Sequence, residues 1–189
     1  YASTSSVYGI KKEKDVDETM SLEPLTDYSK YKVDCEIILK KYISENFTPI
    51  IIRPATVCGY SPRQRLDVVV NILTNLAYHK KVITIFGGKQ LRPNIHIKDM
   101  ARAYEFLIEA PKSKVSGEIF NVGSGKTVSV NHVVKLLGGK KTYIQKRPGE
   151  PNCTFADIKK ISKYLSWSPK VNIEQGINIL KENIDYWKD

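Results

Sequence analysis

Residues 48–57, TPIIIRPATV, form a nearly continuous apolar run, the pattern of a strand buried on both faces. A strand of that kind belongs to a parallel sheet with helices packed on either side. The rest of the chain has the matching rhythm. VITIF at 82–86, NIHI at 94–97, EIFNVG at 118–123 and residues 141–146 read as strands. Residues 27–42, 66–79, 98–109, 129–137, 157–165 and 173–187 read as helices. This alternation defines an α/β class. At 189 residues the chain holds one domain, or one and a half.

Within that frame the stretch DYSKYKVDCEIILKKY, residues 27–42, stands out. Asp27, after Thr26, is a capping residue, and neither Gly nor Pro interrupts the next fifteen positions. Tyr31, Cys35, Ile38, Leu39 and Tyr42 have the spacing of a buried stripe. Tyr28 and Lys32, four apart, share one face at the edge of that stripe. A free tyrosine is a weak base at neutral pH, and an adjacent ammonium favours its phenolate. Such a pair can take a proton from an alcohol as hydride leaves the same carbon. Spacing alone reads more readily as a solvated surface pair. Residues 1–9, YASTSSVYG, read as a strand end opening into a hydroxyl-rich turn, where α/β sheets bind ligands.

Composition narrows the options. The net charge of +10 comes largely from lysine pairs spread along the chain, without an arginine cluster interleaved with aromatics. That favours a lysine-rich surface with a general attraction for anions over a nucleic-acid interface. No apolar run approaches the length of a membrane span. Cys35, Cys58 and Cys153 are widely spaced and odd in number, which suits reduced thiols of a cytoplasmic protein. His79, His96 and His132 have no metal-ligand spacing, so no metal is expected. GSGK at 123–126 lacks full phosphate-loop spacing and reads as a strand-to-helix turn.

YASTSSVYG, the Tyr28/Lys32 pair, IIIRPATVCGYSP, FGGKQLRPNIHIKDMARAY at 86–104, FNVGSGKTVSV at 120–130, RPGEP at 147–151 and LSWSPKV at 165–171 occur in an order that resembles the extended short-chain dehydrogenase/reductases. Within them the likeness is to the NAD-dependent nucleotide-sugar epimerases and dehydratases, and it covers nearly the whole chain. It implies the C-terminal part of a Rossmann-type doubly wound parallel sheet plus a smaller α/β substrate-binding domain. Residues 1–60 would be a partial dinucleotide-binding domain. Residues 61–189 would mainly bind substrate, with a segment of about 94–125 returning to the Rossmann sheet. Family members begin with four strand–helix units and a Gly-rich loop that this sequence lacks. A start at Tyr1 without methionine suggests a fragment, a processed chain or an incomplete gene model, expected to be a poor enzyme alone.

The resemblance also implies roles. Thr4, Tyr28 and Lys32 would be catalytic, with Tyr28, Lys32, Pro54 and Ala55 beside NAD, NADP being left open. Ser5, Ser6, Thr56, Arg92, Arg147 and Glu150 would bind a nucleotide-diphosphate sugar, the arginines on its diphosphate. Arg63 and Arg65 are weaker phosphate candidates. Dehydratases of the family often carry an acidic pair where this chain has Ser5 and Ser6. That departure favours an epimerase, most directly a 4-epimerase. A one-way reductase or dehydrogenase and a catalytically silent nucleotide-binding relative are the alternatives. Cys58, at a common tyrosine position, reads as packing. The family also implies a homodimer through the tyrosine-bearing helix.

Overall fold

The computed structural model of the chain describes residues 1–13, 15–80, 82–146 and 156–183. Its elements run α1 (Asp27–Lys41), β1 (Ile51–Pro54), β2 (Thr56–Cys58), α2 (Val69–Asn75), β3 (Val82–Phe86), β4 (Leu91–His96), α3 (Ile97–Glu109), α4 (Lys112–Val115), β5 (Ile119–Val122), β6 (Thr127–Ser129), α5 (Val130–Leu137), β7 (Lys140–Ile144), α6 (Lys159–Leu165) and α7 (Ile173–Glu182). A 3-10 turn at Ser5–Tyr8 precedes them, and a π-helical turn at Leu76–Lys80 extends α2.

The fold is α/β. Strand β1 runs parallel to β5, with Ile52 opposite Phe120, and Ala2 bridges in parallel to Ile52. Past Ala55 the chain resumes as β2, parallel to β4, which takes β6 antiparallel on its other part. Strands β3 and β7 form a separate parallel pair. Ile51 and Ile52 are buried, as the apolar run at 48–57 requires.

Two larger cores result from this layout, beside a smaller cluster of Val7, Tyr8 and Val16. Met100, Ala103 and Leu107 line one stripe of α3 and pack with Ile52, Phe120, Ile161 and Trp167. Val70 and Leu73 of α2, Val133 and Val134 of α5, and Ile177 and Leu180 of α7 enclose Ile83 and Ile85 of β3.

Helix α1 departs from the sequence reading. Its cap is Thr26, whose side chain accepts from the Ser29 amide at 3.2 Å while Ser29 Oγ accepts from the Thr26 amide at 3.1 Å. Asp27 is the first helical residue and pairs with Lys30 at 3.2 Å. The expected buried stripe is not buried: Tyr31, Cys35, Ile38 and Tyr42 are exposed, and the buried residues of α1 are Ser29 and Glu36. Polar contacts, together with Val33 packed against Val7, Tyr8 and Val16, hold this helix in place of the expected stripe.

Elsewhere the differences are local. The strand expected at 94–97 spans Leu91–His96, because His96 turns the chain into α3 by accepting the Lys98 amide on Nδ1 at 3.3 Å. The His96 ring fits between two glycines. A Cβ on Gly59 would lie 2.8 Å from His96 Nε2, and one on Gly176 would lie 3.2 Å from Cδ2. Asp99, also buried, accepts the amides of Lys170 and Val171 at 2.8–3.0 Å and pins the segment leading to α7.

Burial lowers the His96 pKa, opposed by Asp99 and reinforced by Lys98. The folded state therefore favours neutral imidazole, and protonation at Nδ1 would also cost the cap of α3. This contribution is intact above the unfolded-state pKa and is lost as pH falls through the lower folded-state value. Chemical unfolding followed from about pH 7 down to about pH 5 should show a steeper loss of stability in the parent than in His96→Asn. Parallel slopes would contradict this.

Candidate active site

The C-terminal ends of the first strand segment and of β1 open side by side into a cleft of about 650 Å³. This is the edge at which an α/β sheet binds its ligands. Thr4, Ser5, Ser6, Tyr28, Pro54, Ala55, Thr56, Arg63 and Arg65 all line it. Ile97, Met100 and Tyr104 of α3 add an apolar wall.

Thr4 Oγ1 accepts the Ser6 amide at 3.2 Å and so caps the 3-10 turn. Among the described residues its hydroxyl proton has no protein acceptor. Tyr28 is 57% exposed and faces the cleft. Lys32 lies on the same side of α1: its Nζ is 5.7 Å from the centre of the Tyr28 ring and 4.9 Å from that of Tyr1. Nζ donates to the Ala2 carbonyl at 2.7 Å, leaving two of its three donors for other partners.

The remaining residues read from the sequence divide clearly. Arg65 is clamped by Asp67 at 3.0 and 2.7 Å. Arg63 reaches the cleft with no side-chain partner among the described residues. No carboxylate is found among the described residues that line the cleft. Arg92 does not line it; on β4 its Nη1 donates to the Leu91 carbonyl at 2.8 Å. Arg147 and Glu150 lie outside the described residues. Burial pushes the Cys58 thiol up to about 12, so it stays protonated and is not a nucleophile.

Sequence reasoning missed the polar groups that support this edge. The Glu36 carboxylate, 3% exposed, accepts from Arg53 Nε at 3.0 Å and Nη2 at 2.6 Å, and from the Ser3 hydroxyl. Arg53 Nη1 donates to the Tyr8 hydroxyl at 2.9 Å, and that hydroxyl donates to Asn121 Oδ1 at 2.8 Å. Burial raises the Tyr8 pKa, against the influence of Arg53, so Tyr8 remains a donor. Asn121 in turn donates its amide to Glu18 at 2.7 Å and its Nδ2 to the Val16 carbonyl at 3.0 Å. Asn71, also missed, lines the cleft and accepts the Gly59 amide at 3.0 Å. The one available signal was the position of Glu36, one turn past Lys32 on the same face.

The family model described as NAD dependent epimerase/dehydratase family matches residues 1–123. An uncharacterized UDP-glucose epimerase of Bacillus subtilis is 37% identical over 94% of this chain and 57% of its own length. UDP-glucuronate 4-epimerase of Thermodesulfobacterium geofontis is 32% identical over 99% of this chain and 60% of its own. UDP-glucuronic acid 4-epimerase from Bacillus cereus, solved in complex with UDP-glucuronic acid and NAD, superposes with a TM-score of 0.86 at 32% identity, covering 97% of this chain and 60% of that one. The chain thus spans 57–60% of the length of these relatives. With the family model matching well over half of the sequence, the chain belongs to the NAD-dependent epimerase/dehydratase family.

Proposed function

We propose that this chain supplies the catalytic tyrosine and the substrate-binding part of a nucleotide-sugar 4-epimerase that uses NAD. The observation that carries the reading is that Thr4 and Tyr28 line one cleft without carboxylates among its described lining, with the Lys32 ammonium 5.7 Å from the centre of the Tyr28 ring. Elimination of water from a sugar needs a carboxylic acid and a base, and Ser5 and Ser6 provide neither. The division into residues 1–60 with a segment of about 94–125 on the cofactor side, and the remainder on the substrate side, belongs to the same proposal.

The residues fit the nicotinamide half of the cofactor. Pro54 and Ala55 offer an uncharged wall to a flat ring, and Lys32 has donors to spare for ribose hydroxyls. Bound NAD would supply reversible hydride acceptance. Tyr28 would take the proton of the C4 hydroxyl as that carbon is oxidised to a ketone, and Thr4 would donate a hydrogen bond to the same oxygen. The Lys32 ammonium, over the Tyr28 ring, would stabilise the phenolate. After the sugar turns in the cleft, Tyr28 would return the proton to the reduced oxygen, now on the opposite face. Arg147 would hold the diphosphate through that rotation.

The cleft favours a uronic acid substrate. Among the described residues Arg63 has no side-chain partner and shares the cleft lining with the hydroxyls of Ser5, Ser6 and Thr56, a set that suits a sugar carboxylate. The exposed Tyr31, Cys35, Ile38 and Tyr42 of α1 support a homodimer across that face. Among the described residues no helix is long and apolar enough to cross a membrane, and a cytoplasmic location is part of the proposal.

With the full-length polypeptide, UDP-glucuronate should convert to its C4 epimer at catalytic NAD without net formation of reduced cofactor. Cofactor consumed in step with product would establish a dehydrogenase instead, and no binding of either ligand would end the enzyme reading. Tyr28→Phe should lower kcat about 10²–10⁴-fold, the range of a lost acid–base group, with KM little changed. Arg63→Met should raise the KM for UDP-glucuronate about 10–100-fold, as expected for a lost hydrogen bond to a charged group, and leave that for UDP-glucose nearly as it was. Equal effects on both sugars would refute the carboxylate assignment.

A further inference from the structure

We propose that Glu36 is a positioning residue for Tyr28 and Lys32, acting through its ion pair with Arg53 and its hydrogen bond from Ser3. The kinetic part of the proposal rests on the epimerase reading; the structural part does not.

Helix α1 carries the phenol and the ammonium but seats few apolar groups. Its buried residues are Ser29 and Glu36, and Ser29 bonds within the cap of its own helix. Val33 packs against the cluster of Val7, Tyr8 and Val16, and Lys32 Nζ lies 4.9 Å from the centre of the Tyr1 ring, while two hydrogen-bonded contacts tie α1 to the strand segment that carries Thr4. One is the Lys32 Nζ bond to the Ala2 carbonyl at 2.7 Å. The other is the Glu36 carboxylate, which the Ser3 hydroxyl and the Nε and Nη2 of Arg53 engage. A two-pronged guanidinium–carboxylate pair fixes orientation as well as distance. Glu36 lies about two helical turns beyond Tyr28, so a small tilt at the carboxylate moves the phenol at the other end.

Both halves of the cleft edge meet at this one carboxylate. Ser3 adjoins Thr4, which lines the cleft, and Arg53 adjoins Pro54 and Ala55 on β1. Glu36 thus sets the phenol against the Thr4 hydroxyl and against the wall where the nicotinamide would lie. The ion pair also governs charge. Lys32 and Glu36 are one turn apart on α1 and would attract each other. Arg53 bonds both carboxylate oxygens and offsets their charge, and the Lys32 ammonium sits on the Ala2 carbonyl, 5.7 Å from the centre of the Tyr28 ring.

The test uses the full-length polypeptide in two variants, with melting temperature, amide hydrogen exchange and steady-state kinetics as readouts. Replacing the whole pair (Glu36→Met with Arg53→Met) removes both buried charges together, a change that often leaves stability intact. Ser3→Ala removes a single hydroxyl and tests the clasp even if the double variant does not fold. The double variant should melt within about 5 °C of the parent, yet lose about 10²-fold in kcat, the scale of a misplaced catalytic group, with KM changed less than about threefold. Ser3→Ala should lose about tenfold in kcat. In both, amides of α1 should exchange faster relative to those of α3. A stably folded double variant with parental kcat, or Ser3→Ala with parental kcat, would reduce the pair to a structural fixture and overturn the proposal. If the parent turns over no nucleotide sugar, the epimerase reading falls and exchange decides alone: faster exchange in α1 upholds the seating role, and unchanged exchange overturns it.

Discussion

The buried ion pair between Glu36 and Arg53 is the contact on which the rest of the site depends. Two charges removed from water are tolerable only when each finds the other and their remaining hydrogen-bonding capacity is also met. Here the neighbours meet it. Ser3 and Arg53 satisfy the carboxylate, Tyr8 takes the guanidinium's other arm, and Asn121 passes the chain on to β5 and to the loop at Val16 and Glu18. Removing one partner of such a pair costs about 3–5 kcal/mol, because the other charge is stranded. The network binds the first strand segment, α1, β1 and β5 into one unit, so the cleft edge is held by hydrogen bonds as much as by apolar packing.

A division of labour results. Apolar stripes on α3, α2, α5 and α7 build the two cores that hold the sheets, and they leave α1 free to present its polar groups to the cleft. A helix packed by its aromatic stripe would turn Tyr31 and Tyr42 inward. Seating the helix on a carboxylate instead leaves Tyr28 half in solvent and Lys32 beside it. The same edge collects Pro54 from the end of β1, Ala55 from the break after it and Thr56 from the start of β2.

Much of this was legible in the residues. The run at 48–57, the strand at 82–86 and the amphipathic helices recovered the α/β class, because burial on both faces and helical periodicity leave direct marks on hydropathy. Thr4, Tyr28, Pro54, Ala55 and Thr56 were found by motif and do share one cleft. The stripe on α1 misled because apolar spacing marks a possible face, not the face that is used. Glu36 was invisible for a related reason. A carboxylate goes inside only with a partner, and its partners lie 17 and 33 residues away in sequence. No local pattern reports contacts of that range. His96 was taken as an isolated side chain, and only the approach of Gly59 and Gly176 shows it to be a spacer between β4 and α7.

The central claim is that a phenol on this polar-seated helix moves a proton while the sugar carbon gives up its hydrogen as hydride and takes the same one back. A UDP-sugar carrying deuterium at C4 tests it most directly. The account predicts that the epimerised product, analysed by NMR or mass spectrometry, keeps the deuterium at C4 with none released to water. Label washed into solvent, or found at another carbon of the sugar, would contradict it.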